Sequence, residues 1–154
     1  MTPNTFTVLH VEDDQNDVLL LQRALKKTNS QVTVHAVTDG DKAVNYLSGD
    51  EEFQDREKYP LPELILLDLK MPRKSGLEVL GWIRSQTRLK RAVVVIFTSS
   101  RHVEDINQAY ELGANSYLVK PVGFEALQEM MKSISHYWGQ LNQMPGVAGN
   151  SNIF

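Results

Sequence analysis

The chain has 154 residues, of which 42% are hydrophobic and 23% charged, and its formal net charge is -3 at pH 7. A chain of this length can bury one apolar core, so we expect a single globular domain. The negative charge gives no general attraction to nucleic acid or anionic membranes. The absence of cysteine excludes thiol catalysis, disulfides and cysteine-ligated zinc.

Short runs rich in aliphatic and β-branched residues predict strands, and stretches with helical periodicity lie between them. In chain order these are strand Phe6 to Val11, helix Asp17 to Lys27, strand Val32 to Val37, helix Lys42 to Leu47, strand Leu64 to Leu67, helix Leu77 to Ser85, strand Ala92 to Phe97, helix Val103 to Leu112, strand Ser116 to Val119, and a fifth helix from Phe124. Near-continuous apolarity in the first, third and fourth strands indicates burial on both faces. The alternation predicts an α/β fold with a doubly wound, five-stranded parallel sheet.

The predicted elements fill one domain from residue 5 to residue 141, and residues 142 to 154 lose the helical pattern and form a tail. The polar segment Ser48 to Pro62 is interpreted as an exposed loop with solvated charges. The N-terminus lacks a signal sequence, and no run approaches the roughly 20 apolar residues of a membrane span. We therefore expect a cytoplasmic protein that binds neither membrane nor nucleic acid.

Acidic side chains follow two of the buried strands. Glu12 and Asp13 follow the first strand, and Asp68 follows the third. In a sheet of order 2-1-3-4-5 the first and third strands are neighbours, and ligands gather at their carboxyl ends. Crowded carboxylates repel one another unless a cation neutralises them, and Mg²⁺ prefers such oxygen ligands. The pattern predicts a magnesium site, with Asp13 and Asp68 bound directly and Glu12 through water.

Asp68 is the best candidate nucleophile, because it is a lone carboxylate at the end of a buried strand. A carboxylate can attack phosphorus to form an aspartyl phosphate, and the protein then has to supply positioning and charge neutralisation. The Lys120 ammonium and the Thr98 hydroxyl, both at predicted strand ends, can contact phosphoryl oxygens. These residues together indicate a phosphoryl-transfer site.

Other polar residues near these positions have simpler interpretations. Asp14 and Asp17 are interpreted as acids that favour the N-terminus of the first helix, and Asp14 is assigned a minor role. The four histidines lack the spacing of a metal site and are interpreted as core or surface residues. They are His10, His35, His102 and His136.

Four motifs in this order resemble the receiver domain of two-component response regulators, over about residues 5 to 141. They are Glu12-Asp13, Asp68-Leu69-Lys70-Met71-Pro72, Thr98 and Lys120-Pro121. The resemblance implies a flavodoxin-like fold with five helices and a signalling protein, not an enzyme, that assists its own phosphotransfer and autodephosphorylation. It implies a sensor histidine kinase as phosphoryl donor and Mg²⁺ or Mn²⁺ as cofactor.

The resemblance also assigns roles to the matching positions. Asp68 is the phosphoacceptor, Glu12, Asp13, Asp68 and the Lys70 backbone carbonyl are metal ligands, Thr98 and Tyr117 are switch residues, and Lys120 contacts the phosphate. It further implies a cis peptide bond between Lys120 and Pro121. Phosphorylation is expected to draw Thr98 inward and let Tyr117 follow. This would alter the face formed by the fourth helix, fifth strand and last helix.

Within this family, the absence of an output domain, the long loop before the third strand and the Tyr137-Trp138 pair are similar to small regulators paired with bacterial phytochromes. A stand-alone regulator with a phytochrome-type kinase is therefore expected. Glu12 departs from the commoner aspartate of the family.

The last predicted helix carries an apolar stripe that ends in Tyr137, Trp138 and Leu141. Because strands of about five residues make a short sheet, this end should project beyond it and remain exposed. Exposed aromatic stripes usually bind partners. We predict a homodimer formed through the last helix and the tail.

The residues leave rival functions open. A dehalogenase-like phosphatase also uses an aspartyl nucleophile and magnesium, but it usually has a second aspartate two positions on, where this chain has Lys70. A receiver scaffold used only for protein contacts would not need the intact acidic set. A flavodoxin-like cofactor carrier would need a phosphate-binding glycine loop, which is missing after the first strand.

Overall fold

A computed structural model describes residues 6 to 28 and 31 to 145 of the chain. Its elements are β1 Phe6–Val11, α1 Gln15–Thr28, β2 Val32–Val37, α2 Gly40–Ser48, β3 Leu64–Leu67, α3 Gly76–Ser85, β4 Val93–Thr98, α4 Val103–Glu111, β5 Ser116–Val119 and α5 Phe124–His136. A short 3₁₀ turn, Glu51–Phe53, lies between α2 and β3, and a π-helical turn, Tyr137–Leu141, continues α5.

Within the described residues, the strands form one parallel sheet of order β2-β1-β3-β4-β5. This confirms the predicted doubly wound fold. Val11 at the end of β1 is level with Leu67 at the end of β3. The residues that follow these strands therefore leave the sheet side by side at its carboxyl edge.

Alternate strand residues point to opposite faces of the sheet and supply two apolar cores. On one face, strand residues pack against α2 and α3; this core includes Leu9, Ile65, Ile96, Tyr46, Leu80 and Ile83. On the other face they pack against α1 and α5; this core includes Val8, Leu66, Phe97, Leu21, Leu25 and Met131. Every residue of β3 and β4 is buried, as expected for central strands of a covered parallel sheet.

The segment between α2 and β3 is more ordered than the predicted exposed loop. The Arg56 guanidinium donates hydrogen bonds to the carbonyls of Tyr46, Leu47 and Tyr59, at 2.8, 2.9 and 3.1 Å. Phe53 is buried, and its ring lies 5.1 Å from the rings of both Tyr46 and Tyr59. The segment is thus fastened to α2, while most of its charged side chains remain exposed as expected.

The guanidinium of Arg84 forms hydrogen bonds with two loops at the amino edge of the sheet. Arg84, in the last turn of α3, donates to the carbonyls of Gly113, Lys90 and Ala92. It also donates to Asn115 Oδ1 at 2.9 Å. One side chain therefore connects the chain segments that lead into β4 and β5.

Part of the end of α5 is exposed, as expected from the apolar stripe. Tyr137 and Leu141 on the π-helical turn are 51% and 60% exposed. Trp138 differs, because it is partly buried against the core on the α1 and α5 side. In the part of the chain that is described, no helix has the length and apolar character needed to cross a membrane.

Candidate functional site

Three carboxylates meet at the carboxyl edge between β1 and β3. Glu12, Asp13 and Asp68 each offer an oxygen, and these oxygens all lie within 4.8 Å of one another. Glu12 and Asp68 are buried, whereas Asp13 is exposed. The backbone N–H of Asp68 donates to the Val11 carbonyl at 3.1 Å, which keeps the two strand ends together. A cluster of carboxylate oxygens fits the ligand preference of a hard divalent cation such as Mg²⁺.

Lys120 lies among these acids. Its Nζ is 2.5 Å from Glu12 Oε1, 3.0 Å from Asp68 Oδ2 and 2.9 Å from Asp17 Oδ2. Burial lowers the pKa of Lys120, but the hydrogen bonds to Glu12 and Asp17 and the charge of Asp68 outweigh it, so the pKa lies above its usual value. The ammonium therefore stays charged at neutral pH.

All peptide bonds among the described residues are trans, so the expected cis bond between Lys120 and Pro121 is wrong. Lys120 reaches the site for another reason. Its backbone N–H donates to the Thr98 carbonyl at 2.8 Å, which extends the pairing of β4 and β5 by one residue. This pairing and the three ion pairs direct the side chain toward the acids.

Glu12 is held from both sides. Burial raises the pKa of this carboxyl group, and the hydrogen bond from Lys120 opposes that rise. The second carboxylate oxygen, Oε2, accepts the backbone N–H of Asp14 at 3.1 Å. Both oxygens of Glu12 thus have donors within the protein.

The sequence reasoning missed Asp17 as a site residue. Asp14 is confirmed as a helix-starting acid, because its Oδ1 accepts the backbone N–H groups of Asn16 and Asp17. Asp17 instead contacts Lys120. Since an N-cap at Asp14 places Asp17 in the first turn of α1, at the edge where the strand-end acids gather, the start of the helix was the signal that could have identified it.

The opposite wall of the site is formed by the segment that joins β4 to α4. Thr98 ends β4 and is buried, and its Oγ1 accepts the Ser100 backbone N–H at 3.4 Å. A cleft of about 470 Å³ opens here, and its lining residues are Asp68, Lys70, Thr98, Ser99, Ser100, Arg101 and His102. The Lys70 backbone N–H lies 3.4 Å from Asp68 Oδ1. The structure therefore brings Asp68, Thr98 and Lys70 to one cleft.

Tyr117 lies behind this segment. Its hydroxyl donates to the Ser100 carbonyl at 3.0 Å, and the Ser100 hydroxyl donates to Asp105 in the first turn of α4 at 2.5 Å. These bonds connect β5, the cleft and the start of α4. The exposed pair Tyr137 and Leu141 lies elsewhere, because the turn that carries them is next to Phe6, which begins β1 at the amino edge of the sheet.

Comparisons with known proteins agree with this geometry. The response regulator receiver domain family matches residues 8 to 132 of this chain. The response regulator Rcp1 of Synechocystis sp. is 36% identical over 138 residues, which cover 90% of this chain and 92% of Rcp1.

Two solved structures are similar over most of their length. The phosphorylated cyanobacterial phytochrome response regulator RcpA superimposes with a TM-score of 0.86 at 34% identity, covering 93% of this chain and 100% of RcpA. The Mn²⁺-bound form of Rcp1 superimposes with a TM-score of 0.82 at 35% identity, covering 92% of this chain and 99% of Rcp1.

Proposed function

Because this chain belongs to the response regulator receiver family, we propose that it accepts a phosphoryl group on Asp68 from the phosphohistidine of a sensor histidine kinase. The observation that carries the proposal is the buried Asp68 carboxylate, which shares one cleft with Thr98 and lies 3.0 Å from the Lys120 ammonium. A nucleophile, a cation and a hydroxyl are thus placed around one transferable group.

In the proposed reaction, an Asp68 carboxylate oxygen attacks phosphorus and the bond from phosphorus to the histidine nitrogen breaks, with the electron pair left on nitrogen. Lys120 then neutralises one phosphoryl oxygen and the Thr98 hydroxyl donates to another. Mg²⁺ or Mn²⁺, held by Glu12, Asp13, Asp68 and the Lys70 carbonyl, would neutralise further phosphoryl charge when bound. Later attack by water on the acyl phosphate returns Asp68 and free phosphate.

The proposed kinase is of the phytochrome type, and the likeness to RcpA supports this partner. This chain and its small relatives match over nearly their whole lengths, which supports a regulator built from one domain over residues 5 to 141. A cytoplasmic location is part of the same proposal. The proposed output of this regulator is a change in the surface formed by α4, β5 and α5. The proposed switch uses the Tyr117 hydroxyl and its bond to the Ser100 carbonyl to couple the cleft to α4, β5 and α5.

Phosphorylation of Asp68 is tested by incubating the protein with acetyl phosphate and Mg²⁺ and measuring its intact mass. The wild type is expected to gain one phosphoryl group, and Asp68→Asn is expected to gain none because an amide is not a nucleophile for this reaction. Asp41→Asn, which changes a half-exposed acid outside the cleft, should be phosphorylated like the wild type. An equal mass gain in Asp68→Asn, or none in the wild type, would contradict the proposal.

We also propose that the exposed end of α5 forms a homodimer contact, through Tyr137, Trp138, Leu141 and the tail that begins at residue 142. Residues 146 to 154 of this tail lie outside the described residues. Tyr137 and Leu141 expose apolar surface that a monomer would leave in water, and this supports the proposal.

Replacing Leu141 with serine is expected to weaken the dimer about tenfold, which is a typical effect of truncating an apolar interface residue. Sedimentation velocity at micromolar concentration, with and without phosphorylation, measures this directly. Val122→Ser is the matched control, because Val122 is 96% exposed in the segment before α5, at the other end of that helix. Monomer under every condition in the wild type would rule out the dimer.

A further inference from the structure

Lys120 is shared by three carboxylates, and only two of them belong to the proposed metal cluster. Glu12 and Asp68 are the members of the cluster, and their side chains are 1% and 9% exposed. The third partner, Asp17, belongs to α1 and its side chain is 39% exposed. A lysine ammonium has three donor protons, so Lys120 can bond to all three acids at once.

In this arrangement the Lys120 ammonium competes with a divalent cation for the same carboxylates. Every contact of Lys120 with Glu12 or Asp68 neutralises negative charge that the cation would otherwise bind. A lysine held by these two acids alone would oppose metal binding. Asp17 offers the ammonium a partner outside the metal cluster, 2.9 Å away.

Asp17 is suited to hold a fixed position. It lies in the first turn of α1, and its own backbone N–H donates to Asp14 Oδ1 at 3.1 Å. The capped helix start fixes the backbone of Asp17. Lys120, in contrast, carries its charge on a flexible four-carbon stem. When the two move relative to each other, the ammonium is the group that adjusts.

We infer that Asp17 is a positioning residue that shares the Lys120 ammonium with Glu12 and Asp68, so that less of its charge is spent on these two acids and more of theirs is available to the divalent cation. The same contact keeps the ammonium beside Asp68, where the phosphoryl group would arrive. The inference rests on the proposed function for its purpose. Its physical content, however, is a coupling between Asp17, Lys120 and metal affinity that does not require phosphorylation.

A double-mutant cycle on Mg²⁺ affinity, measured by isothermal titration calorimetry, tests this coupling. Asp17→Asn is expected to weaken Mg²⁺ binding about fivefold, because Lys120 then turns fully to Glu12 and Asp68. Lys120→Met should tighten Mg²⁺ binding, since it removes the competing charge. In the Lys120→Met background, Asp17→Asn should change the affinity by less than about twofold.

Two further variants separate positioning from a general loss of negative charge. Asp14→Asn removes the same charge from the same end of α1, keeps a good helix cap and touches no lysine contact. It should weaken Mg²⁺ binding less than Asp17→Asn does. Asp17→Glu keeps a carboxylate within reach of Lys120 and should restore most of the affinity.

An equal effect of Asp17→Asn with and without Lys120, or an equal effect of Asp14→Asn, would overturn the inference, because Asp17 would then act only through its charge. Acetyl phosphate labelling of the wild type is measured alongside. Labelling without the coupling would overturn the inference alone. The coupling without labelling would overturn the proposed function and leave the inference standing.

Discussion

Gly76→Ala is expected to lower the free energy of unfolding by roughly 3 kcal/mol or more. A Cβ atom at this position would overlap the carbonyl oxygen of Asp68 and lie 2.8 Å from the Leu69 Cα atom. Both are backbone atoms, so no side-chain rotation relieves the overlap. Gly76 begins α3, and its N–H donates to the Leu69 carbonyl at 2.9 Å. The helix thus starts in direct contact with the chain that follows the proposed phosphoacceptor.

Gly81→Ala provides the matched control in the same helix. A Cβ there would meet only the Leu112 side chain, at an ordinary 4.0 Å. This variant should raise the stability by about 0.5 to 1 kcal/mol, because alanine restricts the unfolded chain and favours helix. Urea unfolding measures both variants against the wild type. A Gly76→Ala protein as stable as the wild type would contradict the close approach of α3 to Asp68.

His10→Leu is expected to make the metal-free protein less sensitive to acid. His10 is 1% exposed, and its Nδ1 has no hydrogen-bond partner among the described residues. Burial lowers the pKa of His10 to about 3, with help from the Lys120 charge and against the Asp68 charge. Its imidazole is therefore neutral in the folded protein at pH 7.

The sign of the effect follows from proton binding. Because the folded pKa lies below the unfolded value of 6.5, the unfolded chain binds more protons as the pH falls from 6.5 toward 3. The contribution of neutral His10 to the free energy of unfolding is complete above pH 6.5 and is lost as the pH falls toward 3. For these two pKa values the loss between pH 7 and pH 5 is about 2 kcal/mol.

Urea unfolding at pH 7 and pH 5, with a chelator present, measures this difference. His10→Leu should lose about 2 kcal/mol less than the wild type over this interval. His136→Gln removes an exposed histidine and should follow the wild type. Titration of the other acids occurs in both proteins and cancels in the comparison. An equal loss in His10→Leu and the wild type would contradict the buried, neutral state of His10.

Most strand limits could be predicted from the sequence, because apolar and β-branched runs mark buried strands without reference to distant residues. β4 shifted by one residue at each end. The Ala92 N–H donates to the Leu89 carbonyl in a turn, and Thr98 pairs with Val119 of β5. The start of α1 was predicted two residues late, because a helix cap formed by Asp14 is not part of the apolar pattern.

The gathering of Glu12, Asp13 and Asp68 could also be predicted, since parallel strands place their carboxyl ends on one edge of the sheet. What could not be predicted depends on contacts between distant residues. The guanidinium of Arg56 donates to three carbonyls, and these come close together only after α2 and the segment that follows it have folded. The place of Asp17 likewise depends on where α1 begins relative to Lys120.

Arg56 and Arg84 make the two ends of the sheet chemically different. Guanidinium groups remain protonated throughout the physiological range and bond here mainly to backbone carbonyls, which do not titrate. Those attachments are therefore insensitive to acidity, cations and phosphate. The opposite rim carries carboxylates, which can titrate and can bind cations. If Asp68 is phosphorylated as proposed, we expect the resulting displacement to stay near this rim, because the other end of the sheet is held by groups that do not titrate.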